Sequence, residues 1–474
     1  MNGLLKKFID FAMGNVLVLI LGLLSSSIIT RIITPDQNGI FSMFTTITSL
    51  IILVIMIGMD QSYVRYYHEE SEENRGKLLR RCIKLPLTLN IILGLCMLIF
   101  YKPISNWLVN ESSFFVTLLI LIHSTFNIIS NFVLINIRMK QRGKLYSFVT
   151  VTNKIFYLLF VWIFYGIFKN NYMTLILSFV LANICMAIVG MVMEKEDWFN
   201  FNSSGELNTD TKSLIKYGSP FIFSMAIVWV FQSIDKVSLK IFSDNYQIGL
   251  YAGAMTIIGL MNTLQGAFTT FWTPVAYEKY SKHPEDTNFF SEINQIVSLV
   301  MILLSIGLIA CKEIIVLLLG PAYRETIFIF PFLVFMPIMY TISETTVLGI
   351  NFKKKTKYHI YIAVFAAISN IIGNIILVPR MGATGAAIST GLSYIVFFLA
   401  RTYFAGKLYK INLKMGRFWI SIASVYVLAI AASLYTFNLT ILILTIISIV
   451  IVLFMYRDIL IKGYDMLKKV INKK

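Results

Sequence analysis

Apolar stretches of about 20 residues, each long enough to carry a helix across a bilayer, recur from one end of this chain to the other. FVTLLILIHSTFNIISNFVLINI at 115–137 and LTILILTIISIVIVLF at 439–454 are two of them, and nothing between such runs is long enough for a separate soluble domain. A soluble chain of 474 residues needs a charged surface that 14% charged residues against 57% hydrophobic ones cannot provide. Backbone facing lipid must bond within its own segment, and these runs lack the period-two alternation of a barrel. The expected fold is therefore an all-α integral membrane protein.

Fourteen transmembrane helices are predicted, at 11–30, 40–62, 83–100, 113–136, 146–167, 172–192, 217–239, 248–273, 291–311, 326–349, 358–378, 382–404, 417–436 and 438–456. Of the 41 Lys and Arg residues, 32 fall in the amino terminus, the even-numbered connections and the tail, counting Lys84, Arg401 and Arg417 near span ends with the connections they adjoin; seven fall in the odd-numbered connections, and Lys154 and Lys236 lie within spans. That alternation places both termini in the cytoplasm. The net charge of +17 is thus a topology signal, with room for anionic lipid on the cytoplasmic face, and not the mark of a nucleic-acid binder. The first run exceeds a signal-peptide core and carries Arg31 where a cleavage site would need small residues, so it reads as an uncleaved span. Cys82, Cys96, Cys185 and Cys311 have no metal-ligand spacing and read as small core residues.

The longest connection, at 194–218, has a polar middle and reads as a flexible linker between halves. TPDQNGIFSMF at 34–44 and SDNYQIGLYAGAM at 243–255 place Gly39 and Gly249 alike at the opening of a span, 210 residues apart. Duplicated six-helix bundles follow from that spacing, with 1–200 as the first, 201–410 as the second, and 411–474 as a helix pair with a basic tail.

Polar residues form faces inside the spans. His123, Asn127 and Asn131 are four apart, as are Asn370 and Asn374 and also Tyr340 and Glu344, while Asn262, Gln265, Thr269 and Thr273 share another face. One such residue is ordinary interhelical glue; several faces suggest a wetted cavity. Lys154 lies about 12 Å into the fifth span, where a cation costs about 2.5 to 3.5 kcal/mol unless it snorkels or has a function. In FQSIDKVSLKIF at 231–242, Asp235 and Lys236 are adjacent and so point from different sides of one helix. One is expected to pair across a helix interface and the other to face the lumen. Arg31 serves equally as an interface anchor or an anion contact, and Asp60, Arg65 and Glu344 are candidates for ion pairs that change during a transport cycle. No zinc-protease, phosphate-loop or dinucleotide signature is present, so neither catalytic nor metal residues are assigned.

SSSIITRIITPDQNGIFSMF at 25–44, GMDQSYVRYY at 58–67, DKVSLKIFSDNYQIGLYAGA at 235–254 and LVPRMGATGAAISTGLSY at 377–394 together resemble bacterial polysaccharide and O-antigen flippases of the Wzx type. These belong to the multidrug, oligosaccharidyl-lipid and polysaccharide exporter superfamily, whose MATE and MurJ members share the architecture. The resemblance implies two pseudo-symmetric six-helix bundles plus two terminal helices in the bacterial inner membrane. It also implies transfer of an undecaprenyl-diphosphate-linked oligosaccharide, for O-antigen, capsule or a related glycan, from inner to outer leaflet by alternating access. Under that expectation Lys154, Lys236, Arg31, Arg65, His123, Asn127, Asn262 and Gln265 meet the headgroup. Asp60, Asp235 and Glu344 are the coupling or gating groups for a proton or sodium gradient, and no cofactor is needed. Membrane lipids, a polysaccharide polymerase and glycosyltransferases are the expected partners; nucleic acid is not, and the oligomeric state is left open. A drug/cation antiporter, a flippase of the peptidoglycan lipid precursor and a membrane enzyme of glycan assembly are the alternatives.

Overall fold

The computed structural model describes residues 2–200 and 207–471, and every regular element among them is a helix. Two compact units divide the chain, Met1–Lys236 and Val237–Lys474. The first contains α1 (Asn2–Ile32), α2 (Pro35–Met56), α3 (Met59–Tyr66), α4 (Arg75–Ile99), α5 (Tyr101–Val109), α6 (Phe114–Met139), α7 (Gly143–Phe168), α8 (Tyr172–Met193), the short α9 (Lys195–Phe199), α10 (Thr211–Gly218) and most of α11 (Phe221–Phe242). The second contains α12 (Asn245–Lys282), α13 (Thr287–Ala310), α14 (Lys312–Val316), α15 (Thr326–Leu333), α16 (Phe335–Thr346), α17 (Leu348–Phe352), α18 (Lys357–Leu408), α19 (Met415–Leu434), α20 (Leu439–Met455) and α21 (Arg457–Ile471). Among the described residues ten helices are long and apolar enough to cross a membrane, or eleven when α20 and α21 count as one bent span. The protein is a multi-pass integral membrane protein.

Pro35 opens α2 at a position where its missing N–H leaves no helical bond unmade. The predicted second span ends early: Ile57 and Gly58 both take left-handed backbone angles, so α2 stops at Met56 and Asp60 and Arg65 lie on the separate α3. A side chain on Gly58 would collide with the backbone of Gly218, because α10 lies directly against this break. The 194–218 connection is therefore not a free tether at its flanks. The backbone N–H groups of Asn208 and Thr209 donate to the buried Glu70 carboxylate at 3.2 and 2.9 Å, and Arg81 donates to Thr209 O. Its polar middle at 201–206 lies outside the described residues.

The long α18 is a hairpin. Ser389 Oγ donates to Asn370 Oδ1 at 2.7 Å and accepts from Asn374 Nδ2 at 3.3 Å. In a straight helix those residues would be about 29 and 23 Å apart. The reversal occurs at Gly382, with φ 52° and ψ −131°, and thereby separates the two predicted spans at 358–378 and 382–404. Asn370 and Asn374 are fully buried where the arms meet, so this polar pair is interhelical glue and not the wall of a wetted cavity.

The two units repeat one local device. Gln37 Oε1 accepts from Tyr172 N–H, at the start of α8, and Gln247 Oε1 accepts from Ala383 N–H, at the start of the returning arm of α18, both at 2.9 Å. The glutamines are 210 residues apart, the offset of Gly39 and Gly249. The preceding turns match as well, since Lys169 has φ 53° and ψ −134° where Gly382 has 52° and −131°. Of the four cysteines only Cys82 is buried; Cys96 and Cys311 are exposed, which corrects the expectation of core positions for them.

At Gly382 a Cβ would stand 2.7 Å from Gln247 Oε1 in a backbone region that costs a side chain roughly 1–3 kcal/mol. Gly382→Ala should therefore lower thermal stability in detergent, while Gly406→Ala, in an open helical position, should leave it unchanged or raise it. Lys169→Gly, which relieves the equivalent turn, should raise it by about 1 kcal/mol.

Candidate functional site

In the first unit the apolar cluster of Ile29, Ile33, Tyr157, Val161, Leu175 and Ala182 joins α1, α7 and α8. Lys154 lies one turn before Tyr157 on α7. α7 begins at Gly143, so Lys154 lies about 16 Å along it, close to its midpoint. It is half-buried and makes no ion pair or hydrogen bond with another described residue. On α11 Asp235 is buried at 3% exposure and Lys236 is half-buried, as their different helical faces require.

The other predicted residues of this unit go to separate places. Arg31 is exposed and turns back on its own helix, donating to Ser27 O at 2.7 Å and to Ser27 Oγ. Arg65 is exposed, pairs with Glu69 one turn on and rests over the Tyr66 ring. His123 is enclosed: its ring stacks on Phe179 at 4.5 Å and tilts toward Phe44 at 6.1 Å. Asn127, one turn further along α6, is half-buried. The buried Asp60 carboxylate accepts from Gln61 Nε2 at 2.8 Å through Oδ2, while its Oδ1 has no partner among the described residues.

Within the second unit, Gln265 and Thr341 are the polar members of an apolar cavity of about 170 Å³ bounded by α12, α13 and α16, with Met261, Phe268 and Met301 in its wall. Asn262 Oδ1 is buried beside it without a described partner. Glu344 is compensated. Arg401, which the sequence reading left among the connection charges, donates to Glu344 Oε1 at 2.7 Å and to Ser343 Oγ at 2.6 Å, and its guanidinium lies 4.9 Å from the rings of both Tyr340 and Phe397. A buried pair of this kind is held by its geometry, since removing one partner strands the other in a medium that cannot solvate it.

A second charged cluster also escaped the sequence reading. Glu194, with a fully buried side chain, accepts from Lys140 and, at 2.7 Å, from Arg142. Lys140 also pairs with Asp197, and Asn136 links Glu194 and Asp197 while accepting from the Tyr63 hydroxyl at 2.8 Å. The signal was the acidic run at 194–197 set against the basic run at 138–144, two connections of one predicted side. Burial opposes the charged form of Lys140, but hydrogen bonds to Asp197 and Glu194 outweigh it and raise its pKa. Among the described residues no three His, Cys, Asp or Glu side chains converge as metal ligands.

Residues 4–278 match the family described as polysaccharide biosynthesis protein, which is more than half of the chain. The chain belongs to that family. It is 21% identical over 394 residues to an uncharacterized membrane protein of Methanocaldococcus jannaschii, a match that spans 78% of this chain and 77% of that protein. Among solved structures, the lipid II flippase MurJ in an inward closed conformation superposes with a TM-score of 0.71 at 17% identity, covering 97% of this chain and 99% of MurJ. An inward-facing multidrug resistance MATE family transporter gives 0.53 at 13% identity, over 84% and 96% of the two chains. This member of the polysaccharide biosynthesis family therefore has the all-α fold shared by MurJ and MATE proteins.

Glu344→Gln and Arg401→Met should each cost about 3–5 kcal/mol of stability. The double variant should cost less than the two together, by about 0.5–3 kcal/mol, in a thermal-denaturation cycle. The raised pKa of Lys140 predicts a contribution present below the ordinary lysine value and lost as pH rises through its higher folded value. Stability should fall above about pH 10.4, and by less in Lys140→Met.

Proposed function

We propose that this protein moves an undecaprenyl-diphosphate-linked oligosaccharide, such as an O-antigen or capsule repeat unit, from the inner to the outer leaflet of a bacterial cytoplasmic membrane. On this reading both termini are cytoplasmic and fourteen spans form two six-helix bundles with a terminal pair. Membership of the polysaccharide biosynthesis family supports the glycan, and the MurJ and MATE fold supports transport without covalent chemistry. The observation that carries the reading is Lys154, a cation near the middle of a membrane helix with no described counter-ion. Intramembrane ionisable groups are expensive and belong to functional paths as a rule.

A diphosphate and its hydrated sugars cannot cross hydrocarbon cheaply, whereas the polyprenyl tail can stay in it. The protein then has to shelter only the headgroup and alternate its access between the two leaflets. Lys154 and Lys236 attract the diphosphate, and Asn127, Asn262 and Gln265 supply hydrogen bonds to sugars. Arg31 and Arg65, both exposed, act before or after the crossing, and His123 shapes the packing beside Asn127. Among the carboxylates Glu344 is neutralised by Arg401, so a proton or sodium gradient would act through Asp60, whose Oδ1 is open, or Asp235. A polymerase and glycosyltransferases would consume and supply the substrate.

The test is leaflet transfer of a fluorescent undecaprenyl-diphosphate oligosaccharide in proteoliposomes. Wild type should transfer it, and at least one of folded Lys154→Ala and Lys236→Ala should be slower by roughly tenfold or more, the equivalent of one charged hydrogen bond. Unchanged transfer in both variants would remove the lysines from the headgroup path. Absence of transfer by folded wild type, across several glycans and with either ion gradient, would overturn the flippase reading.

A further inference from the structure

The last helix carries a pattern that transport does not require. Immediately after the apolar α20, the chain bends by 67° and continues as α21. In its sequence apolar residues recur at 459, 460, 463, 464, 466, 467, 470 and 471, the spacing of one helical face, and the exposed Ile461 widens it on the outward side. Three ion pairs fix one side of α21 to the bundle of its own unit: Asp458 to Lys414 at 3.0 Å and to Arg417 at 2.7 Å, and Lys462 to Glu292 at 2.6 Å. Ile459, on that side, is buried.

Another side faces outward. Arg457, Leu460, Tyr464 and Lys468 follow one another by three or four residues and so form one stripe, with Leu460 39% and Tyr464 67% exposed. The stripe is apolar in its middle and basic at both ends. Arg457 also rests over the Phe454 ring at 5.2 Å, and Phe454 is itself 60% exposed on α20. Hence the stripe adjoins the apolar surface with which α20 meets hydrocarbon, with Arg457 laid over Phe454 at the join. The bend turns that surface away from the direction of α20 at the point where α20 reaches the end of its apolar run.

We infer that α21 is an interfacial helix: it lies in the headgroup region of the leaflet at which α20 ends, with Leu460 and Tyr464 in the acyl boundary and Arg457 and Lys468 on the phosphates of anionic phospholipids. An amphipathic helix with basic residues flanking its apolar stripe gains from both contacts. Each cation near an anionic surface contributes about 1 kcal/mol. The ion pairs on the opposite side orient the helix so that the same stripe always meets the lipid.

The experiment places a nitroxide at 460, 464 or 465 of the full chain, in a background with the four native cysteines replaced, in nanodiscs containing phosphatidylglycerol. Labels at 460 and 464 should collide more with oxygen than with a nickel chelate, and the label at 465 should show the reverse. Equal nickel access at all three sites, meaning a helix in water, would overturn the inference. So would shielding of 460 and 464 from both reagents, meaning a protein partner or second copy on the stripe. Replacing phosphatidylglycerol with phosphatidylcholine should shift 460 and 464 toward nickel access, by roughly fivefold per basic residue. Arg457→Gln with Lys468→Gln should abolish that lipid dependence; its persistence in the double variant would overturn the assigned phosphate contacts.

Discussion

A backbone amide in hydrocarbon has no water to turn to, so each one must find its partner within its own helix or be given one. The places where this chain departs from regular helix show how that demand is met. At Ile57 and Gly58 the helix stops in a two-residue turn set against the backbone of α10, and α3 begins at once. At Lys169 and Gly382 the chain reverses, and the amides that open the next helices, which no preceding turn can satisfy, receive the side-chain oxygens of Gln37 and Gln247. A carboxamide suits this task because it accepts strongly without carrying charge.

Charge is handled in three ways. Where α6 and α8 end, the buried Glu194 and the half-buried Asp197 take donors from Lys140 and Asn136, and Glu194 from Arg142 as well, so that both oxygens of the buried carboxylate are satisfied. Deeper in the second unit, Glu344 and Arg401 neutralise each other between two aromatic rings. Lys154 belongs to neither class. An uncompensated cation near mid-helix costs several times what an interhelical hydrogen bond returns, so structural glue is a poor explanation for it, whereas a substrate that brings its own negative charge is a good one.

The fold was legible because its main signals are long. Apolar runs and the alternation of basic residues are summed over many positions, which is why an all-α multi-spanning fold could be read; the breaks that divide the predicted spans at 40–62 and 326–349 into separate helices left no such signal, and ten or eleven spanning helices stand among the described residues where fourteen were expected. The 210-residue echo was visible as a glycine pair, although the residues that do the matching work are glutamines, whose partners lie about 135 residues away and leave no local trace. Partner identity was the general blind spot. Glu344 stood out as a carboxylate in a span, but nothing short of tertiary structure brings it to Arg401, 57 residues later. Likewise the 194–218 segment looked like a free linker because polar composition cannot distinguish residues that meet water from residues that meet Glu70 and Arg81.

The two glutamine contacts also set an order in time. Each closes a loop of about 135 residues lying wholly within its own unit, and neither waits for residues of the other. The second contact follows the first by about 210 residues of chain, which synthesis at roughly 5–20 residues per second takes about 10–40 s to supply. Loop closure and helix docking run far faster than that. The nascent first unit can thus be fastened at its α1–α2 and α7–α8 turns before the second exists, so that its helices pair with one another while those of the second unit are still to come.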